Sequence, residues 1–236
     1  MIDILKEKTS LDRNSITDGG LTTFLNPVSY LKARKHLHTY RQFNYLLADG
    51  WLFVAALKAI GIKTQRYSFD MTSLAPVVLM KAAEQNQTIY FIGARPDEIR
   101  GFIKIIKTHF PGLSIAGYRD GYFKSADERT AAIAHIKDLS PNIVVAGLGV
   151  PFQEDFLVDL RNAGWSGCGY TCGGFIHQTS GRLNYYPDWV NRFHLRMPYR
   201  FIREPHFRKR LPDYIKFVFT FLYDYWKHRQ SLCINR

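Results

Sequence analysis

The chain has 236 residues, of which 46% are hydrophobic, enough for one large domain or a domain with an appendage, each with a full core. Lysine and arginine outnumber aspartate and glutamate 32 to 20, and aromatics reach 15%, a balance that favours a polyanionic partner: nucleic acid, an anionic membrane surface or a phosphorylated substrate. Three irregularly spaced cysteines argue against a disulfide framework, the opening MIDILKEKTSLDRN is too polar for a signal peptide, and no apolar run is long enough to span a membrane.

The first 18 residues read as a loosely packed lead-in. GLTTFLN (20–26) is expected to be a strand, followed by a helix over PVSYLKARKHL with Pro27 in its first turn. FNYLLADG (43–50) is a short strand ending in Asp49-Gly50, WLFVAALKAIG a helix stopped by Gly61, and TSLAPVVLMKAAEQN (72–86) a further helix. TIYFIGA (88–94) and LSIAGY (113–118) read as strands, each followed by a helix. In the second of these helices Ser125 and Glu128 are spaced as a capping box. NIVVAGLG reads as a strand, PFQEDFLVDLRNAG as a helix opened by Pro151, and GYTCGGF as one more strand. Short apolar strands alternating with helices predict an α/β, Rossmann-like parallel sheet with helices on both faces.

From about residue 187 the sequence turns aromatic, basic and proline-punctuated, and eleven of the basic but three of the acidic residues fall between Asn191 and Arg236. The expected organisation is a Rossmann-like domain over 1–190 and a basic, aromatic, helical appendage over 191–236.

In open α/β sheets ligands bind beyond the carboxyl ends of the strands. Asp49-Gly50, Gly93, Gly117, Asp120-Gly121, Gly147-x-Gly149 and Gly173-Gly174 all follow predicted strands, so a parallel sheet gathers them on one side. The Gly147-x-Gly149 turn is an incomplete dinucleotide fingerprint: Phe152 stands where the third glycine belongs, and Pro151 lies inside the motif. Gln153 and Glu154 open the next helix, where they either hydrogen-bond sugar hydroxyls or form a solvated first turn. Asp49 is either a common Asp-Gly turn or a base; Asp70 is a helix cap or a ligand contact, and Arg66, just before that turn, a surface charge or a substrate contact. Cys168, Cys172 and His177 fall one short of a structural zinc set, and the cysteines read as buried thiols.

Taken in order, Asp49-Gly50, Arg66, the stretch GVPFQE (149–154), Gly173-Gly174, Pro187-Asp188-Trp189 and the basic run from Arg200 to Arg210 resemble the WecG/TagA/CpsF family of bacterial glycosyltransferases from about residue 20 to 210. The resemblance implies an inverting, cofactor-free transfer from a UDP-sugar to an undecaprenyl-pyrophosphate-linked sugar in cell-surface polysaccharide synthesis. Such an enzyme is cytoplasmic and peripheral on the inner face of the membrane. It implies Asp49 as general base, and Asn26, Thr23, Gly50, Arg66, Gly149, Gln153, Glu154 and His177 as substrate contacts. Arg203, Arg208 and Arg210 are implied on a pyrophosphate, and the appendage on an anionic membrane surface. No D-x-D occurs, so arginines are expected in place of a metal.

Three departures stand out. Asn26 is preceded by Phe24-Leu25, with Thr23 one step further off than the family's threonine. The family's F-D after the paired glycines reads Ile176-His177, placing a residue that binds sugar or phosphate, or tunes the site's charge, where the donor is expected. The run from Glu204 to Arg208 is one residue longer than the family's spacing. The rival readings are a nicotinamide-dependent oxidoreductase and a non-enzymatic membrane or nucleic-acid adaptor. No nucleic-acid motif accompanies the basic tail, so nucleic acid is not the expected partner. Self-association is left open.

Overall fold

The computed structural model describes residues 1–9, 12–183 and 211–234, with the single positions 190, 192, 199 and 202 between them. Two helices, α1 (Ile2–Lys8) and α2 (Arg13–Asp18), lead into β1 (Leu21–Leu25). Then come α3 (Pro27–Ala33), α4 (Leu37–Arg41), β2 (Tyr45–Ala48), α5 (Trp51–Ala59), α6 (Leu74–Glu84), β3 (Thr88–Gly93), α7 (Pro96–His109) and β4 (Ser114–Arg119). After these follow α8 (Ala126–Leu139), β5 (Ile143–Gly147), α9 (Phe152–Asn162), β6 (Cys168–Thr171), α10 (Phe175–Thr179) and α11 (Leu211–Ile234).

The six strands among the described residues form one parallel sheet, in the order β2-β1-β6-β5-β3-β4. Side chains alternate between the faces of a strand, and here both sets are buried. From β3 and β5, Tyr90, Ile92, Val144 and Ala146 join one core cluster with Phe53, Ile133 and Phe156 of α5, α8 and α9. Ile89, Phe91, Ile143 and Val145 join another with Val78, Phe102 and Phe175 of α6, α7 and α10. This is why the strands read as continuous apolar runs: the sheet is covered on both faces, as the sequence predicts.

Several local expectations change. The lead-in is packed: Ile2, Leu5 and Ile16 are buried, the first two in the same cluster as Leu46. Residues i and i+3 share a helix face, but α1 is too short for its period to stand out in the sequence. At α8, Ser125 Oγ accepts the Glu128 N–H at 3.2 Å as expected, but the Glu128 carboxylate reaches back to the Lys124 N–H at 2.6 Å instead of closing the box on Ser125. Gly117 lies within β4, paired with Tyr90 of β3, and not beyond the strand. GYTCGGF divides into β6, a glycine turn and α10.

Helix α11 carries two apolar stripes. Phe217 and Phe221 are buried against Tyr30 and Phe53, with ring centroids 5.4 to 6.3 Å apart, and Asp224 and His228 continue that stripe. Asp224 accepts the Tyr30 hydroxyl at 2.7 Å and Arg34 Nε at 2.9 Å. His228 meets Asp3 at 3.0 Å and Lys6 at 2.9 Å on α1. Ile215, Phe219, Leu222 and Trp226, offset by two residues or about 200° around the helix, are exposed.

Candidate active site

The carboxyl ends of β1, β2, β5 and β6 open into a cleft of about 840 Å³. β1 lies between the strand that follows it and the strand that completes the sheet, so the loops part there. That is where open α/β sheets bind ligands.

Asp49 stands at the head of β2, its N–H bonded to the Leu25 carbonyl at 2.8 Å. Gly50 turns the chain into α5 with φ at +81°, in the left-handed region that favours glycine; a Cβ there would meet no atom within 4 Å, so conformation and not space sets the choice. The segment after α5 returns to β2: Ala48 and Arg66 form a parallel bridge, and the Tyr67 N–H donates to the Ala48 carbonyl at 2.8 Å. The bridge puts Arg66 beside the catalytic candidate. Its Nε lies 3.3 Å from Asp49, and its Nη2 donates to Asp70 at 2.9 Å and to Ser68 Oγ at 2.6 Å. Burial works against the guanidinium's charge, but Asp49 and then Asp70 outweigh it, and Arg66 titrates above its ordinary range. Asp70 also accepts the Thr72 N–H at 2.8 Å, so it joins a turn and the cleft wall at once.

Asn26 ends β1 and caps α3. Its Oδ1 accepts the N–H groups of Val28 and Ser29, both at 3.0 Å, and Ser29 Oγ accepts the Asn26 N–H at 2.7 Å. With both backbone donors on the oxygen, the amide N–H₂ is the group left for a ligand in the cleft that Asn26 lines. Gly149 also lines the cleft, with φ at +77°.

Gln153 lines the cleft floor although it is almost fully buried, its Oε1 accepting the Gly173 N–H at 3.2 Å. Glu154 and Thr23 lie beneath the cleft and not in its wall. Thr23 points to the sheet face that α9 covers, so Gln153 and Glu154 in the first turn of that helix are directed into the protein and not into solvent. Glu154 Oε1 accepts Thr23 Oγ1 at 2.8 Å and Gln153 Nε2 at 3.0 Å, and Thr171 Oγ1 bonds Thr23 Oγ1 at 2.9 Å. Glu154 Oε2 and the Tyr40 hydroxyl are both buried without a hydrogen bond of ordinary geometry. Burial raises the Glu154 carboxyl, more than its bonds to Gln153 and Thr23 lower it. Burial, then the charge of Glu154, raises Tyr40.

His177 lines the cleft from α10, with Nδ1 2.7 Å from Glu98 of α7. Cys172 is a buried thiol that burial pushes up to about 12. Among the described residues no three His, Cys, Asp or Glu side chains group as metal ligands. Arg203, Arg208 and Arg210, with Pro187-Asp188-Trp189, lie outside the described residues.

The structure thus brings Asp49, Asn26, Arg66, Gly149, Gln153 and His177 around one space, while Gly50 turns the chain between Asp49 and Trp51 without lining it. It adds residues that the sequence did not single out. Trp51 and Phe152, both two-thirds exposed, stand on the rim with Lys32, and Asp213 and Tyr214 reach it from the start of α11. The aromatic following Asp49-Gly50 is a readable signal for Trp51; nothing local marks Asp213.

A family model described as the glycosyl transferase WecG/TagA/CpsF family matches residues 4–231. A Shigella boydii protein named UDP-Gal:alpha-D-GlcNAc-diphosphoundecaprenol beta-1,4-galactosyltransferase is 33% identical over 229 residues, 94% of this chain and 95% of its own. Two proteins named N-acetylglucosaminyldiphosphoundecaprenol N-acetyl-beta-D-mannosaminyltransferase are also similar. The one from Bacillus spizizenii strain W23 is 31% identical over 95% of this chain and 84% of its own, and the one from Bacillus subtilis strain 168 is 27% identical over 86% and 79%. None of these names describes an oxidoreductase or an adaptor.

Proposed function

The chain belongs to the WecG/TagA/CpsF family of glycosyltransferases, and on that premise we propose that it transfers a hexose or N-acetylhexosamine from a UDP-sugar to a sugar on undecaprenyl diphosphate. The transfer inverts the anomeric centre and needs no metal. The observation that carries the reading is the Asp49–Arg66 pair in the cleft beyond the carboxyl ends of the strands. A sugar hydroxyl is a weak nucleophile, and a positioned carboxylate takes its proton as it attacks the anomeric carbon. Asp49 fills that role. The bond to the UDP oxygen breaks as the new bond forms, and negative charge grows on the diphosphate. Arg66 fixes the base from one side. With no D-x-D in the sequence, Arg203, Arg208 and Arg210 are assigned to the diphosphate, where planar guanidinium groups bind bidentately.

The acceptor sits on a membrane lipid, and the exposed stripe of α11 suits such a surface. Ile215, Phe219, Leu222 and Trp226 face outward, with Lys216, Lys227 and Arg229 on the same helix to meet anionic headgroups. The mode assigned on the strength of that stripe is peripheral, on the inner face where the family resemblance puts such an enzyme; among the described residues no helix is long and apolar enough to cross a membrane. In this reading residues 191–236 both dock the enzyme and complete its site.

The test is UDP release in the presence of EDTA, with UDP-galactose, UDP-N-acetylmannosamine and other UDP-sugars as donors. The acceptor is a short-chain lipid diphosphate carrying N-acetylglucosamine. Turnover with one donor that disappears in Asp49→Asn supports the reading; no turnover across the panel by folded, full-length protein overturns it.

A further inference from the structure

His177 reaches the cleft already held. Its Nδ1 lies 2.7 Å from Glu98 Oε1. Glu98 is anchored in turn: Oε2 accepts the Arg95 N–H at 2.9 Å, closing the start of α7, and Oε1 takes the Arg95 guanidinium at 2.8 and 3.1 Å. A tenth of the Glu98 side chain is exposed, against 62% of that of His177. Burial disfavours the Glu98 charge, but its bonds to Arg95 and His177 prevail, and the carboxyl stays below its usual range. An ionised carboxylate only accepts hydrogen bonds, so the nitrogen facing it carries the hydrogen. In a neutral ring Nε2 then holds a lone pair. That atom has no protein partner among the described residues, and the ring lines the cleft.

The place is informative as well. Asp49 follows β2 and His177 follows β6, and β1 lies between those two strands. In the transferase reading Asp49 takes the acceptor's proton, which leaves the His177 side of the cleft for the donor.

We propose that His177, oriented by Glu98, recognises the donor, its Nε2 accepting a hydrogen bond from a hydroxyl of the nucleotide-sugar, on either the hexose or the ribose. Glu98 is the positioning residue. The inference rests on the transferase reading above.

Two measurements on the full chain test it. The first is the ¹⁵N spectrum of histidine-labelled protein at pH 8, with His177 assigned by its loss in His177→Gln. Wild type shows hydrogen on Nδ1 and a bare Nε2. Glu98→Gln, which still accepts the Arg95 N–H, shows mixed tautomers. Hydrogen on Nε2 in wild type overturns the proposal without reference to catalysis.

The second is calorimetric binding of UDP-galactose, UDP-N-acetylmannosamine and UDP. His177→Ala weakens the bound UDP-sugar roughly fivefold, the size of one neutral hydrogen bond. His177→Gln, whose amide can reach the Nε2 position, recovers most of it. Glu98→Gln falls between, and adds nothing in the background of His177→Ala. A loss confined to the UDP-sugar places the hydroxyl on the hexose; an equal loss for UDP places it on the ribose. Unchanged affinity in His177→Ala overturns the proposal and leaves the transferase reading standing. A wild-type chain that binds no UDP-sugar overturns that reading, and this one with it.

Discussion

Arg66 is held 3.3 Å from Asp49 by a single parallel bridge to the last residue of β2. The same guanidinium reaches Asp70 at 2.9 Å, so one cation lies between two carboxylates that line the cleft.

Asp49→Asn keeps the shape of this arrangement and removes the base. Transfer should fall by about 10² to 10⁴-fold, the usual contribution of a positioned general base, with the melting temperature little changed. Wild-type turnover in the variant, measured as UDP release, would remove Asp49 from the mechanism.

Arg66→Lys keeps the charge but not the fork that spans both carboxylates. Activity should fall about tenfold or more, as misplacement of a catalytic group does. Stability should fall by only about 1 kcal/mol, because each of the three side chains is still about a quarter to a third exposed and water screens their interaction. Steady-state kinetics beside a chemical melt separates the two effects. A large stability loss with normal kinetics would make Arg66 a structural residue.

Glu154 makes stability depend on pH. Its folded-state carboxyl is raised by burial, while in the unfolded chain it titrates near the ordinary glutamate value, about 4.3. Between the two the folded state binds more protons, so its contribution is present at low pH and is lost as pH rises through the folded value. Glu154→Gln carries no charge to bury, and its N–H₂ group can turn to the Tyr40 hydroxyl, which faces Glu154. The variant should therefore be more stable than wild type, by a margin that grows from pH 4 to pH 8. Thermal melts at both pH values check this; a margin that shrinks as pH rises contradicts the assignment.

The two stripes of α11 should separate by experiment. Phe221→Ala empties a site between Tyr30 and Phe53 and should cost about 3 to 5 kcal/mol of stability. Phe219→Asp and Trp226→Asp change exposed residues. They should leave the melt nearly unchanged and weaken sedimentation with anionic vesicles roughly tenfold each, the worth of burying one such side chain. Full vesicle binding by the double variant would rule out this stripe as the docking face.

Much of the architecture is legible in the sequence. Ile143 to Ala146 read as a strand because both faces of the sheet are covered, and of the glycines expected beyond the strands, Gly93 and Gly147 instead form strand ends and Gly117 lies within β4. What is not legible depends on contacts distant in sequence. Glu154, in a polar first turn, reads as a sugar contact or as solvated, and neither reading buries it; the placement of α9 over Thr23 and Thr171 does. Glu98 goes unremarked in the sequence, because nothing near it announces a histidine 79 residues on. Ile2 and Leu5 need α11, at the other end of the chain, to become core.

The bridge at Arg66 has a consequence beyond catalysis. β2 is an edge strand, and an open edge is a template on which another chain can pair. Here two of its carbonyls are engaged from outside the sheet: Leu46 by the Thr9 hydroxyl at 3.3 Å, and Ala48 by the Tyr67 N–H at 2.8 Å. The segment that delivers Arg66 to Asp49 thus also blunts the margin where strands would otherwise stack between molecules. A substitution that loosens it should cost solubility together with activity, and the aggregate should be rich in intermolecular β-structure.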